Sequence, residues 1–207
     1  MVMIYDHLPS LLKYVFVFGL ALCLCLLLTP VFIRLAGKLG LIDKPDNRRV
    51  HQTPTPRGGG VAVYLSVAMA LALEVFWLAP NEGRTSIDTQ WLWGYLSFGG
   101  LLTLVGLIDD RFGVTPILKL LLQSLCALGF LGVTGAVIPS LFGLELGWML
   151  SFLVSLVWIV ALINAFNLID GMDGLCSGLA LVSSLGLAVA MFAGRSSSEA
   201  VLPLALG

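Results

Sequence analysis

Charge is what this chain has least of. Only 11% of its 207 residues are Asp, Glu, Lys or Arg, against about 25% in an ordinary soluble domain. With 58% hydrophobic residues and a mean hydropathy of +1.01, it reads as an integral membrane protein. A net charge of −1 gives no basic surface for nucleic acid, and no nucleic-acid partner is expected. Cysteine is also sparse. Cys23, Cys25, Cys126 and Cys176 lie in or at the start of apolar runs, where Cys behaves as a small hydrophobe, so a disulfide framework is not expected. Cys23 and Cys25, two apart on a helix, point to different faces and do not suit a shared metal. The apolar runs lack the period-two alternation of a barrel strand, which leaves helices as the spanning element. A cleavage site is missing too: no small-residue signal follows Thr29-Pro30. Although Lys13 precedes it, the first run is too long for a signal peptide.

What is present is a series of runs near the ~20 residues needed to cross about 30 Å of hydrocarbon. They predict spans at about 11–33, 59–79, 91–108, 117–137, 148–166 and 175–193, with a seventh opening near residue 200 before the sequence stops at Gly207. The expected fold class is all-α, a polytopic transmembrane helix bundle forming a single domain over 1–207. Basic residues set its orientation. Arg34, Lys38, Lys44, Arg48, Arg49 and Arg57 lie between the first two spans, and Arg111 lies in the third connection with Lys119 just inside the next span. The alternate connections hold only Arg84 and Arg195. The positive-inside rule places the first, third and fifth loops in the cytoplasm and the N-terminus outside.

Three polar stretches share that predicted cytoplasmic side. In 41-LIDKPDNRRVHQTPTPRGGG-60, the prolines and glycines favour turns over a long helix. Its Arg48, Arg49, His51 and Arg57 can grip a diphosphate, with the Gly triplet letting backbone approach closely. A basic loop attracted to anionic lipid explains the charge equally well, though not His51. In 106-GLIDDRFGVTPILK-119, Asp109 and Asp110 close the third span. One acid would mark a water boundary, but two adjacent acids repel unless cations or donors separate them. Hard cations such as Mg²⁺ take carboxylate oxygens and bridge to phosphates. Lys119 follows a Gly-Val-Thr-Pro turn, so it can face the same pocket, either touching phosphate or snorkelling to the interface.

The third stretch is 164-NAFNLIDGMDGL-175. Asn164, Asn167 and Asp170 step by three and form a polar stripe on a helix. By Asp173 an ideal helix has turned away, but Gly171 and Gly174 permit a break. Capping of the next helix explains Asp173 and leaves the other three unexplained. Glu74 lies within the second span, away from these stretches, and stays unassigned. Acids for a divalent cation, bases for phosphate and amides for neutral polar groups suit transfer of a phosphorylated group from a soluble nucleotide to a lipid.

These stretches resemble the polyprenyl-phosphate N-acetylhexosamine-1-phosphate transferase family, which includes the phospho-MurNAc-pentapeptide translocase. The matching pieces are 43-DKPDNRRVHQTPTPRGG-59, 106-GLIDDRFG-113 with Lys119, and 164-NAFNLIDGMDGL-175. The Asp-Lys-Pro opening, His51 and the Asn-Ala-Phe-Asn wording are nearer to the undecaprenyl-phosphate N-acetylglucosamine branch than to the translocase. The resemblance implies a bacterial inner-membrane enzyme with its active face in the cytoplasm. It would use Mg²⁺, with Mn²⁺ as a substitute, to convert UDP-N-acetylglucosamine and undecaprenyl phosphate to undecaprenyl-diphospho-N-acetylglucosamine and UMP. That product starts O-antigen, common-antigen or wall-polymer synthesis. Matched by position, Asp109, Asp110 and Asp170 take the metal and charge-organising roles. Asn167, Asp170 and Asp173 match the acidic motif of the catalytic and nucleotide pocket, with Asn164 beside them, and Lys119 matches a lysine near the phosphates. A phosphate monoester is already largely dianionic at pH 7, which favours charge organisation over a role for Asp110 as nucleophile.

Members of the family are longer and carry a further aspartate loop and a His-rich loop. Here the only histidines are His7 and His51. The chain is therefore expected to be a fragment or a truncated product and inactive alone. The oligomeric state is open, with a homodimer among the options. Two other classes compete. CDP-alcohol phosphotransferases carry a tight run of acids with an intervening Ala-Arg, which 164–175 lacks. Cation-coupled transporters bind near the bilayer midplane, whereas these acids lie at span ends.

Overall fold

The computed structural model describes residues 2–43, 55–78, 88–170 and 175–197, with side chains over 15–42, 55–76, 88–170 and 175–187. Among them, five helices are long and apolar enough to cross a membrane: Val15–Leu39, Gly59–Phe76, Thr89–Phe112, Pro116–Thr134 and Trp148–Ile169. A further apolar helix runs over Leu175–Ser197, with its side chains described over Leu175–Leu187. The all-α, multi-pass reading therefore stands; the expected seventh span lies outside the described residues. All four cysteines are free. The chain divides into two compact units, Met1–Leu122 and Gln123–Gly207.

The first unit opens with α1 (Val2–Leu39), which extends beyond the expected span at both ends and runs on through Pro30. Thr29 Oγ1 donates to the Cys25 carbonyl at 2.7 Å, a local bond typical of Thr beside a helical proline in lipid. The helix stops at Gly40, whose φ of 71° lets the Leu41 N–H return to the Ala36 carbonyl at 2.9 Å. That is the glycine-terminated closure of a helix C-terminus. Two short strands follow, β1 (Ile42–Asp43) and β2 (Thr55–Pro56), paired antiparallel with Ile42 opposite Pro56.

Gly58, at φ 90°, starts α2 (Gly59–Leu73), which continues as a π-helical stretch over Glu74–Leu78. The next helix is similarly interrupted: α3 (Thr89–Gly94), capped by the Asp88 side chain on Gln90 N–H, passes through a π-helical stretch, Tyr95–Gly99, into α4 (Gly100–Phe112). Small residues make the close helix contacts. Ala36, Ala62, Ser66, Ala68 and Ala70 are buried, the pattern by which helices approach in lipid without a hydrophobic driving force. Large side chains such as Phe16, Phe18, Leu26 and Leu27 face outward, as lipid contact requires. Glu74 is 2% exposed and points into the protein, where an ionisable group in a span belongs.

One carbonyl of the π-helical stretch Tyr95–Gly99, that of Leu96, accepts from a donor outside its helix. The Tyr64 hydroxyl takes that place, donating to the Leu96 carbonyl at 2.6 Å, while its ring lies 5.8 Å from that of Tyr95. A Cβ added at Gly100 would stand 2.9 Å from Tyr64 Oη. Gly100→Ala is therefore expected to cost about 1–3 kcal/mol, read as a lowered melting temperature in detergent. Adding Tyr64→Phe, which deletes the clashing oxygen, should return part of that loss.

The second unit holds most of α5 (Pro116–Thr134), the strand pair β3 (Ser140–Leu141) and β4 (Leu144–Glu145), α6 (Trp148–Ile169) and α7 (Leu175–Ser197). Helix α5 ends three residues before the expected 137, because Gly135 turns to φ 65° and its N–H bonds the Leu131 carbonyl. Two buried serines fasten the following loop to α6. Ser155 Oγ accepts from Ile138 N–H at 2.7 Å, and Ser151 Oγ donates to the Leu146 carbonyl at 3.1 Å.

Candidate active site

In the first unit the site grows from the end of α4. Asp109 and Asp110 occupy its last turn, and Gly113, at φ 70°, ends the helix with its N–H on the Asp109 carbonyl. Proline at 116 then opens α5 at its first residue, where the missing N–H costs nothing. The Gly-Val-Thr-Pro turn therefore forms as its chemistry dictates, and it carries Lys119 back onto the acids. Lys119 Nζ lies 2.7 Å from Asp109 Oδ2, with side-chain exposures of 18% and 23%. The other oxygen, Asp109 Oδ1, accepts the Val114 N–H at 2.9 Å. Asp109 thus closes the turn and holds the lysine. Neither phosphate contact nor snorkelling is decided for Lys119 by this pairing, which gives it a charge partner within the protein.

Asp110 takes a different base. Arg57 Nη1 stands 3.7 Å from Asp110 Oδ1, and both side chains are about one-third exposed. Two features bring Arg57 there: its N–H bonds the Leu41 carbonyl at 2.8 Å, continuing the β1–β2 pairing, and Gly58 lets the chain press close to α4. A Cβ at Gly58 would meet Leu107 Cδ1 at 3.3 Å and Leu41 Cδ1 at 3.5 Å. Lys119 and Arg57 together bring positive charge to the adjacent carboxylates and relieve their repulsion.

In the second unit, Asn164 and Asn167 lie on α6, and Asp170 caps its C-terminus with its N–H on the Phe166 carbonyl. Asn167 and Asp170 are exposed, while Asn164 is half-buried. Asn164 Nδ2 donates to Gln123 Oε1 and to the Val160 carbonyl, both at 2.8 Å. Gln123 is a partner the sequence reading did not single out. Its signal was there: an amide inside an apolar span, one helical turn after Lys119. Asp173, Arg48, Arg49 and His51 lie outside the described residues.

Among the described residues, no three His, Cys, Asp or Glu side chains gather as they would around an ion. Mg²⁺ needs less from protein, usually one or two carboxylates with substrate phosphates and water completing its shell. The Asp109–Asp110 pair fits that demand. Asp109 has both oxygens engaged at 2.9 Å or less, and Arg57 stands at 3.7 Å from Asp110.

Comparison with known proteins gives consistent matches. The family model described as Glycosyl transferase family 4 matches residues 92–207, which include both acidic stretches. A probable undecaprenyl-phosphate N-acetylglucosaminyl 1-phosphate transferase of Bacillus subtilis (strain 168) is 30% identical over 192 residues, 89% of this chain and 50% of its own length. An undecaprenyl-phosphate alpha-N-acetylglucosaminyl 1-phosphate transferase of Yersinia pestis is 32% identical over 196 residues, 92% of this chain and 49% of the relative. A decaprenyl-phosphate N-acetylglucosaminephosphotransferase of Mycolicibacterium smegmatis is 36% identical over 161 residues, covering 75% and 39%. The chain spans about half the length, or less, of these curated relatives. With the family model matching more than half of it and its apolar helices in place, the chain belongs to glycosyl transferase family 4.

Proposed function

We propose that this protein transfers N-acetylglucosamine-1-phosphate from UDP-N-acetylglucosamine to undecaprenyl phosphate, releasing UMP at the cytoplasmic face of the bacterial inner membrane. The observation that carries the reading is the pairing of Asp109 with Lys119 and Asp110 with Arg57. Two acids and two bases at the end of one helix make a preorganised set of fixed charges, which is what phosphoryl transfer asks of a protein. The names of the relatives supply the substrate class.

In the proposed reaction an oxygen of the lipid phosphate attacks the β-phosphorus of the nucleotide sugar. The bond from that phosphorus to the bridging oxygen breaks, and UMP leaves with the oxygen. Lys119 and Arg57 offset negative charge on the phosphates, and Asp109 holds Lys119 in place. Bound Mg²⁺ would draw charge from the diphosphate, with Asp110 and Asp109 as its carboxylates. Placement of the acids at helix ends, in the last turn of α4 and at the cap of α6, favours interfacial chemistry over a carrier's midplane site.

The test is UMP release by the protein at the full length of its gene, in detergent with UDP-N-acetylglucosamine, undecaprenyl phosphate and Mg²⁺. Release that stops with EDTA and returns with Mg²⁺ or Mn²⁺ is expected. A metal-replete preparation that releases no UMP overturns the assignment. So does cysteine labelling that puts positions 110 and 170 on opposite faces of the bilayer.

A further inference from the structure

We propose that Gln123 is a positioning residue for Asn164, fixing that side chain so that it offers substrate an acceptor oxygen rather than a donor. The inference rests on the transferase reading above and adds which chemical group Asn164 can take. Gln123 is 3% exposed, one turn beyond Lys119, and Cys126, Ala127 and Leu131 are its buried companions on the same helix. A primary amide there costs free energy unless its atoms find partners. Its Oε1 has one in Asn164 Nδ2 at 2.8 Å, across 41 residues of sequence.

Asn164 Nδ2 carries two hydrogens, and two carbonyl oxygens face it: Gln123 Oε1 and the Val160 main-chain oxygen. Its donor capacity is therefore filled. Rotating the Asn164 amide alone by 180° would set Oδ1 against both oxygens; turning the Gln123 amide with it restores one bond but still leaves Oδ1 facing the Val160 oxygen. Gln123 acts by occupying the second hydrogen of Nδ2, which Val160 alone would leave for an acceptor on the substrate. With both in place, the polar atom left to Asn164 is Oδ1, which only accepts. Phosphate oxygens also only accept and are repelled. Asn164 thus suits a hydroxyl or amide N–H in the uncharged part of the nucleotide sugar, not its diphosphate.

The experiment measures the KM for UDP-N-acetylglucosamine, the kcat and the melting temperature in the full-length protein. Gln123→Leu is expected to raise KM about tenfold, the worth of one hydrogen bond in orientation, with kcat within about threefold. Gln123→Glu keeps an acceptor oxygen in either protonation state and should restore KM to within about threefold of wild type. In an Asn164→Ala background, Gln123→Leu should change KM less than about twofold. If Gln123→Leu does not fold, Gln123→Met, closer in shape, takes its place. Equal KM losses in the wild-type and Asn164→Ala backgrounds, or a Gln123→Glu protein that melts normally yet matches Gln123→Leu, overturn the role. In those cases wild type still releases UMP and the transferase reading survives. A wild type that releases none overturns both.

Discussion

Replacing Asp110 by Asn is expected to cut UMP release by the full-length protein about 10²–10³-fold, the usual loss when one preorganised charge-stabilising group is removed from a reacting centre. Stability should hardly move. The contact with Arg57 is 3.7 Å long between side chains about one-third exposed, and pairs of that kind contribute about 0–1 kcal/mol. For a chain of this size that is a shift of no more than about 4 °C. Asn preserves shape and hydrogen-bonding capacity but not charge, so the comparison isolates the carboxylate. Steady-state kinetics and a melting curve on the same preparation check both halves. Wild-type turnover from the Asp110→Asn enzyme would remove Asp110 from the charge-organising role.

The neighbouring acid should behave in the opposite sense. Asp109 and Lys119 are both mostly buried and 2.7 Å apart, and a hydrogen bond between charged groups is worth about 1.5–3 kcal/mol before solvent screening is discounted. Lys119→Met is expected to lower stability by about 1–2 kcal/mol, or about 2–8 °C. Asp109→Asn keeps an oxygen for the Val114 N–H, whereas Asp109→Ala loses that bond as well and should melt lowest of the three. The double variant Asp109→Asn with Lys119→Met should be less destabilised than the sum of its parts, because each single change strands its partner's charge and the double change strands none. Turnover should fall in every one of these variants, since the turn that carries Lys119 to the acids is loosened. Additive melting shifts would show that the pair is not coupled.

The contrast between the two aspartates was not available from their adjacency. In sequence, Asp109 and Asp110 share the same neighbours and the same helix end. What separates them is which base arrives, and the bases come from different places. Lys119 returns through a four-residue turn whose Gly113 and Pro116 announce it, so that half of the arrangement could be read locally. Arg57 arrives by way of Leu41, the β1–β2 pairing and a left-handed Gly58 pressed against Leu107, and no periodicity records such a route. Gln123 was hidden for a related reason. One amide in an apolar span has no meaning until α6 brings Asn164 to it.

By itself the sequence determined the membrane-spanning helical class, because continuous apolar runs of this length leave the backbone only itself to bond. It also placed glycine at positions 40, 113 and 135, where helices end in a conformation other residues resist, although hydropathy set those spans to stop at about 33, 108 and 137. Tertiary structure alone decided the pairing: Lys119 with Asp109, Arg57 with Asp110, Gln123 with Asn164. It also decided that Tyr64 bonds the Leu96 carbonyl. The physical reason is range. Span and turn formation depend on neighbours within a few residues, whereas a charge or amide buried in a bundle takes whichever partner packing sets within about 3 Å.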